Sequence, residues 1–491
     1  FFSCLIPMVL FRIVKGTLTT GILGASSYLA WERWTEDGFS ETSAAAPPPV
    51  SVIVVGGGIA GVTTAHFLAK QGCSVTVLNT DGSTHITAPA STLNAGWIRY
   101  THYTCLANPQ TLRNAAASVV SKPGTCALQV RPLNFLTDVE WLRFGLRFVA
   151  AALHEPVRAW DTQYFNQLSF YSVEMLQAVV AELGIKDAEW DRETKGFHIL
   201  SPSAAPGPDQ IQCGDGSYHH TIEPEPFHGD CYKFMTRMMA LDRQRGVHYV
   251  PDAKVRALLT EGTRVTGVQA EDGRQFAADA VVLANGAWAP ALAKTAGVAI
   301  PILPCKGYCL EFNLTPDQER RMPILVNSGA LLFPDCSLAV TTFRSPAGVS
   351  CAARAPHRVR FTSVAEFAPV DAVPTPCMER YLRSKAKDKF PELAASIDQA
   401  PIRVGARPQT PDDLPIVSRT KYDNLFVNVG ASSYGWRLAC GLAAMTAHLV
   451  GGRPSYPSGQ PVPHAQGLSL RRFKLAHFLD RAALCTLPSG A

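Results

Sequence analysis

Three glycines spaced Gly56-x-Gly58-x-x-Gly61 are the first residues in this 491-residue chain whose type and spacing could do chemistry. The first allows a tight turn. The second lets backbone approach a pyrophosphate, and the third lets a helix pack close to a strand. Phosphates would then lie at the helix start, Ile59 and Ala60, where free N–H groups and the helix dipole favour an anion. The elements around them must supply that geometry. Val50 to Val55 is a β-branched run that reads as a buried parallel strand, Ile59 to Gln71 carries apolar residues on one helical face, and Ser74 to Leu78 reads as the next strand. The pattern is a βαβ unit with the glycines at its first turn, which points to a nucleotide. The competing reading is a Gly-rich turn in an ordinary α/β domain. One strand later an acidic residue is expected, and Asn79 stands there instead, with Asp81 two residues on.

Other candidate chemistry is weaker. The 13 cysteines include no C-x-x-C pair, and Cys305 and Cys309 are too isolated from other Cys or His to form a zinc site. They read as scattered free thiols. Adjacent His219 and His220 would point apart on a strand, no ligand cluster accompanies them, and they read as part of a solvated loop; no metal site is expected. A net charge of +5 without a basic stripe gives no sign of nucleic-acid binding. With 47% hydrophobic and 17% charged residues, the chain reads as a folded, core-rich enzyme of two or three packed domains.

Residues 1–31 contain no acid and only two bases, Arg12 and Lys15, and Gly16 to Trp31 is uncharged. About 20 apolar residues span a bilayer. Two readings compete: a membrane anchor, which we favour, and a cleaved organelle-targeting segment, with mitochondrion suggested by analogy. The run SAAAPPP (43–49) separates this segment from the fold, because its prolines cannot continue a helix.

Further along, 137–185 and 229–245 read as largely helical, 201–228 as a polar Pro-rich stretch, and 247–289 as strand-rich. Residues 306–367 alternate like antiparallel strands, 344–358 looks like an insertion within a strand pair, and 375–390 reads as a helix capped by Thr375. NLFVNVG (424–430) is a buried strand before a Gly-rich helix.

The ordered motifs resemble the D-amino-acid oxidase-like superfamily of FAD-dependent oxidoreductases, and within it the bacterial D-amino-acid dehydrogenase small subunit. VVGGGIAGVTTAHFLAKQGCSVTVL is similar to the FAD fingerprint, STLNAGW (91–97) to the Ser-x-x-Asn-Ala-Gly flavin-side loop, and GDCYKF (229–234) to a Gly-Asp-Cys helix start. ADAVVLANGAW (278–288), PCKGYCLEF (304–312), GARPQTPDDLPIVSRT (405–420) and NVGASSYGWRLACG (428–441) match further motifs. The resemblance implies an α/β fold, with a Rossmann-like FAD domain in three segments (50–120, 229–303, 401–474). An α+β substrate domain is threaded between them (121–228, and an antiparallel sheet in 304–400). Residues 1–49 are then an apolar helix with its linker, and 475–491 a tail.

The resemblance also implies FAD as cofactor and hydride removal from Cα of an amino acid, most nearly a D-amino acid. The imino acid formed hydrolyses to a 2-oxo acid and ammonia, and no general base is required. FAD would be held by Gly56, Gly58, Ile59, Ala60, Gly61, Asn79, Ser91, Asn94, Ala95, Gly96, Val255, Asn285, Gly286, Lys306, Gly430, Gly435 and Trp436. The Arg of Gly-x-Arg-Pro, here Arg407, would grip the substrate carboxylate with its planar fork. Tyr308 is a second candidate for the pocket wall, with a core aromatic as the competing reading. Asn79 departs from the family's acid, and Gly430-Ala431-Ser432 replaces its Gly-His-Gly. Electron transfer to a membrane quinone is the first reading of the acceptor. An oxidase or sarcosine-type enzyme is the second, and a membrane-tethered flavin-fold protein without activity the third.

Overall fold

The computed structural model describes residues 51–80, 89–100, 105–130, 137–203, 210–214, 216–344, 357–369, 373–451 and 465–473. The apolar N-terminal segment, Asp81 and the tail lie outside these. Among the described residues no helix is long and apolar enough to cross a membrane.

In chain order the first half holds β1 (Ser51–Val55), α1 (Ile59–Lys70), β2 (Ser74–Leu78), α2 (Pro89–Thr92), β3 (Trp97–Ile98), α3 (Pro109–Val120) and β4 (Leu128–Val130). Two long helices follow, α4 (Val139–Leu153) and α5 (Glu155–Leu183), then β5 (Phe197–Pro202), β6 (Gln210–Cys213), β7 (Gly216–Glu223), β8 (Phe227–His228) and α6 (Cys231–Gln244). The strand-rich stretch is β9 (His248–Val250), β10 (Val255–Glu261), β11 (Arg264–Ala270), β12 (Gln275–Ala277) and β13 (Ala280–Leu283), closed by α7 (Ala289–Lys294). Then come β14 (Leu303–Asn313), α8 (Pro316–Arg321), α9 (Pro323–Ser328), β15 (Ala330–Phe333), β16 (Leu338–Phe343), β17 (Arg358–Phe367), α10 (Pro376–Lys389) and α11 (Ala394–Gln399). The chain returns through β18 (Ile402–Gln409), β19 (Ile416–Arg419), β20 (Leu425–Val429) and α12 (Gly435–Gly451).

Strands from three distant stretches assemble one sheet, ordered β19-β20-β13-β1-β2-β9. Its β1 is buried on both faces, as a parallel strand covered on both sides must be. Val52 and Val54 face one core with α1 and α12, while Ile53 and Val55 face another built on β10–β11 and α7. A nine-stranded sheet runs β18-β14-β17-β16-β15-β5-β7-β6, with β4 beside β17. α10 covers part of one face, where Met378, Tyr381 and Leu382 pack on Leu310, Val340 and Phe361.

Three expectations need correction. The stretch 201–228 is not mainly loop, because β6, β7 and the end of β5 form an antiparallel edge of the large sheet. His219 and His220 therefore lie on a strand, and His220 stacks on His198 with ring centroids 5.0 Å apart. β18, placed in the nucleotide half by a boundary at 401, hydrogen-bonds instead to β14 of the large sheet. The helix expected over 375–390 forms, but Thr375 spends its hydroxyl on Glu366 at 2.9 Å and makes no side-chain cap. The flanks of 344–358 pair as expected, with Phe343 opposite Arg358.

Candidate functional site

The glycine turn has the geometry its sequence dictates. Gly56 turns at φ +111°, and its N–H donates to Leu78 O across the β1–β2 gap at 2.9 Å. A Cβ on Gly61 would fall 1.8 Å from Gly56 O, so only glycine lets α1 start this close to the strand. A Cβ on Gly57 would fall 2.6 Å from Asn79 Cγ, which puts Asn79 against the turn at the end of β2. Asn79 Oδ1 accepts from Thr80 N at 3.0 Å. Gly58 caps α1 with no side chain and the first turn carries no acid, which suits an anion at the positive helix end, although the Ile59 N–H expected to be free is taken by Ser91 Oγ.

The second segment is built on Ser91, whose Oγ accepts from Ile59 N at 3.1 Å and ties α2 to the glycine turn. Asn94 then folds its own loop: its Nδ2 donates to Ser91 O at 2.6 Å and its Oδ1 accepts from Gly96 N at 2.8 Å. Gly96 sits at φ +77°, and a Cβ there would meet Gly229 O at 2.8 Å. The large sheet holds the loop from below. Thr341 Oγ1 donates to Ala95 O at 2.7 Å and Arg360 Nη1 to Asn94 O at 2.7 Å.

The remaining segments are Asn285-Gly286 after β13 and the turn Ser432–Tyr434 before α12. Gly430 turns at φ +77° and Ser432 at φ +48°, so serine occupies the left-handed backbone suited to glycine. Asn285 Oδ1, Ser432 Oγ and Trp436 Nε1 are buried without a hydrogen-bond partner among the described residues. Buried polar atoms are normally satisfied. The two orphans on these loops, Asn285 and Ser432, with the glycine cradle, fit a bound nucleotide-flavin group; Trp436 lies in the first turn of α12, its ring packed on Trp190 and Phe234. Gly435 opens α12, and Val255 starts β10 beside β1's outer core.

β18, the strand that carries Arg407, packs against α2, the Gly286–Trp288 turn and the Ser432–Tyr434 turn. Arg407 lies opposite Cys305 of β14 and is half-buried. Directly opposed residues share a face, so Cys305, Gly307, Gly405 and Arg407 share one, while Lys306 and Tyr308 point to the other. This overturns the pocket-wall reading of Tyr308. It is 1% exposed in the core, donating to Glu366 Oε2 at 2.7 Å and accepting from Thr375 N at 2.8 Å. Burial, chiefly, pushes its hydroxyl up to about 12, so it remains a donor. Lys306 is likewise buried on that far face, donating to Val373 O at 3.3 Å, away from Arg407.

Several residues of the site escaped the sequence reading. Asp230 accepts from the N–H groups of Tyr232 and Lys233 at 2.8 and 3.1 Å, as the start of α6 requires. Its other oxygen accepts from Arg358 and Arg360 of β17. Burial raises the Asp230 carboxyl, but Arg360 and Arg358 outweigh it and hold it below the usual value. Glu311 pairs with Arg360 at 2.6 Å and Asp191 with Lys233 at 2.7 Å. A signal existed: Arg358 and Arg360 are two apart on a strand, hence on one face. Nearby, His228 donates from Nε2 to Thr342 O at 3.1 Å, and burial lowers its pKa to about 4. Among the described residues no group of three or more His, Cys, Asp or Glu could hold a metal.

Comparison with known proteins agrees with this geometry. The family model described as "DAO: FAD dependent oxidoreductase" matches residues 51–449. A D-amino acid dehydrogenase of Paramagnetospirillum magneticum is 28% identical over 449 residues, covering 85% of this chain and 97% of its own. One of Xylella fastidiosa is 27% identical over 442 residues, covering 85% and 94%. Among solved structures, an L-proline dehydrogenase of P. horikoshii superposes with TM-score 0.56 at 17% identity, covering 86% of this chain and 97% of its own. A glycine oxidase of Bacillus cereus gives 0.56 at 16% identity, covering 82% and 95%. These structures share the fold.

Proposed function

The chain belongs to the DAO family of FAD-dependent oxidoreductases, and from that premise we propose that it oxidises a D-amino acid at Cα and passes the electrons to a quinone. The family membership makes it an FAD-dependent enzyme. The observation that carries the substrate reading is Arg407, half-buried on the strand that meets the loops around the nucleotide. The name borne by the relatives in Paramagnetospirillum and Xylella supports the D-amino-acid class.

In this reading Gly56, Gly58 and the α1 N-terminus hold the pyrophosphate, Asn79 meets the adenosine ribose, and the Ser91–Gly96 loop with Asn285 and Ser432 holds the flavin end. FAD, when bound, supplies the hydride acceptor. Everything else is positioning. The Arg407 fork grips the substrate carboxylate in a two-pronged contact and turns Cα toward the acceptor. The neutral amine gives up the hydride without a protein base, and the imino acid released is hydrolysed by water to a 2-oxo acid and ammonia. The apolar N-terminal segment, residues 1–31, would tether the enzyme to a bilayer, where quinones reside, with the mitochondrial inner membrane as the proposed location.

The test is the absorbance of the purified protein, without oxygen, before and after adding D-amino acids. Bleaching of a yellow protein supports the reading, and Arg407→Ala should stay yellow and fail to bleach. A yellow protein bleached by L- or N-methylated amino acids alone refutes the D-class. Hydrogen peroxide formed in air, with no reduction of an added quinone, replaces the dehydrogenase by an oxidase.

A further inference from the structure

Arg407 rests on a floor and against a wall that ordinary strand pairing would not provide. Opposite it, β14 and β17 run antiparallel until the register shifts between Lys306 and Tyr308. Lys306 faces Glu366 and Tyr308 faces Ser363, so Val364 and Ala365 both oppose the single residue Gly307. That is a β-bulge, a feature that bends a strand and re-aims its groups. Val364 lies in it at φ +72°, a left-handed backbone that is an outlier for a β-branched residue. Its side chain is 3% exposed in the core beneath α10, which holds the backbone in place. Its carbonyl accepts from Arg407 Nη1 at 2.8 Å.

The floor is Gly307. A Cβ built there would fall 2.4 Å from Arg407 Nη2 and 2.5 Å from Cζ. The guanidinium therefore lies flat on the bare backbone of Gly307, with one edge pinned by the Val364 carbonyl. Strained backbone held by packing is found where a fixed geometry is required.

We infer that Gly307 and Val364 are positioning residues that set the plane and reach of the Arg407 fork for a substrate carboxylate. The inference rests on the proposed role of Arg407. The glycine floor fixes the plane and the bulge carbonyl fixes rotation within it, leaving the outer N–H groups to the ligand. A pre-set fork loses less freedom on binding than a mobile one.

The experiment uses the FAD-loaded full chain and two readouts: benzoate affinity, from the perturbed flavin absorbance, and KM against kcat for an oxidised amino acid. Gly307→Ala should weaken benzoate and raise KM by at least about tenfold and lower kcat as well, since a fork displaced by about 1 Å no longer aligns Cα with the acceptor. Val364→Ala and Val364→Gly lose the same branched methyls but differ in backbone freedom. The Gly variant should melt above the Ala variant, reversing the usual strand order, yet bind benzoate several-fold more weakly. Wild-type affinity in Gly307→Ala, or equal affinity in the two Val364 variants, overturns the inference. Arg407→Ala separates the levels. If it leaves benzoate affinity unchanged, the Arg407 reading has failed; if it alone abolishes binding, only the positioning role has.

Discussion

Replacing Asp230 by Asn tests the joint between the α6 start and the large sheet. The side chain is fully buried, with one oxygen on the α6 backbone and the other facing Arg358 and Arg360. Asn keeps a carbonyl oxygen for the cap but loses the charge and turns an NH2 donor toward the two arginines. Removing one partner of a buried ion pair costs about 3–5 kcal/mol. Arg360 is 2% exposed and cannot turn to water, but it keeps Glu311 at 2.6 Å, and Arg358 keeps Asp191 at 3.4 Å. Those partners place the loss at the lower end, about 3 kcal/mol. Asp230→Ala also loses the cap, adding about 1 kcal/mol. Urea unfolding of the apoprotein measures both as midpoint shifts at unchanged slope. Because Arg360 also holds Asn94 O, FAD affinity should fall in the same order. A loss below about 0.5 kcal/mol for Asp230→Asn would show that the buried charge adds nothing net and would refute the reasoning.

His228 has a folded pKa near 4, below its unfolded value of 6.5, because burial disfavours the cation. Between those values the unfolded chain binds the extra proton, so stability falls as pH drops through the window, by about 3 kcal/mol in all. Melting curves from pH 7 to 4 should show this loss, and His228→Gln should remove its share; an unchanged slope would disprove it. Ser432→Gly, at φ +48°, should raise stability by about 0.5–1 kcal/mol, read as a higher melting temperature. On the proposed contact of Asn79 with the ribose, Asn79→Asp would supply a charge-assisted acceptor in nearly the same shape, and FAD should dissociate about tenfold less readily by equilibrium dialysis. A weaker complex would mean that Asn79 does not face the ribose.

Much of this was legible in the sequence because its causes are local. The turn at Gly56–Gly61, the helices after Asp230 and Gly435, and the buried runs at Ser51–Val55 and Leu425–Val429 follow from glycine freedom, capping and periodicity. The motif order implied the family and its cofactor. Tyr308 and Arg407 could not be sorted in the same way. Their faces depend on which residue of β14 lies opposite which residue of β18, a pairing between strands about a hundred positions apart. The bulge at Val364 depends on a one-residue mismatch between two strands, which neither strand's own pattern reveals. The ion pairs of Asp230 join α6 to β17 across more than a hundred residues. The sequence alone determined the elements, the nucleotide turn and the family, because those are written in neighbouring residues. The tertiary structure decided which side chains meet at Arg407, because register and burial are properties of pairs that the chain brings together only when folded.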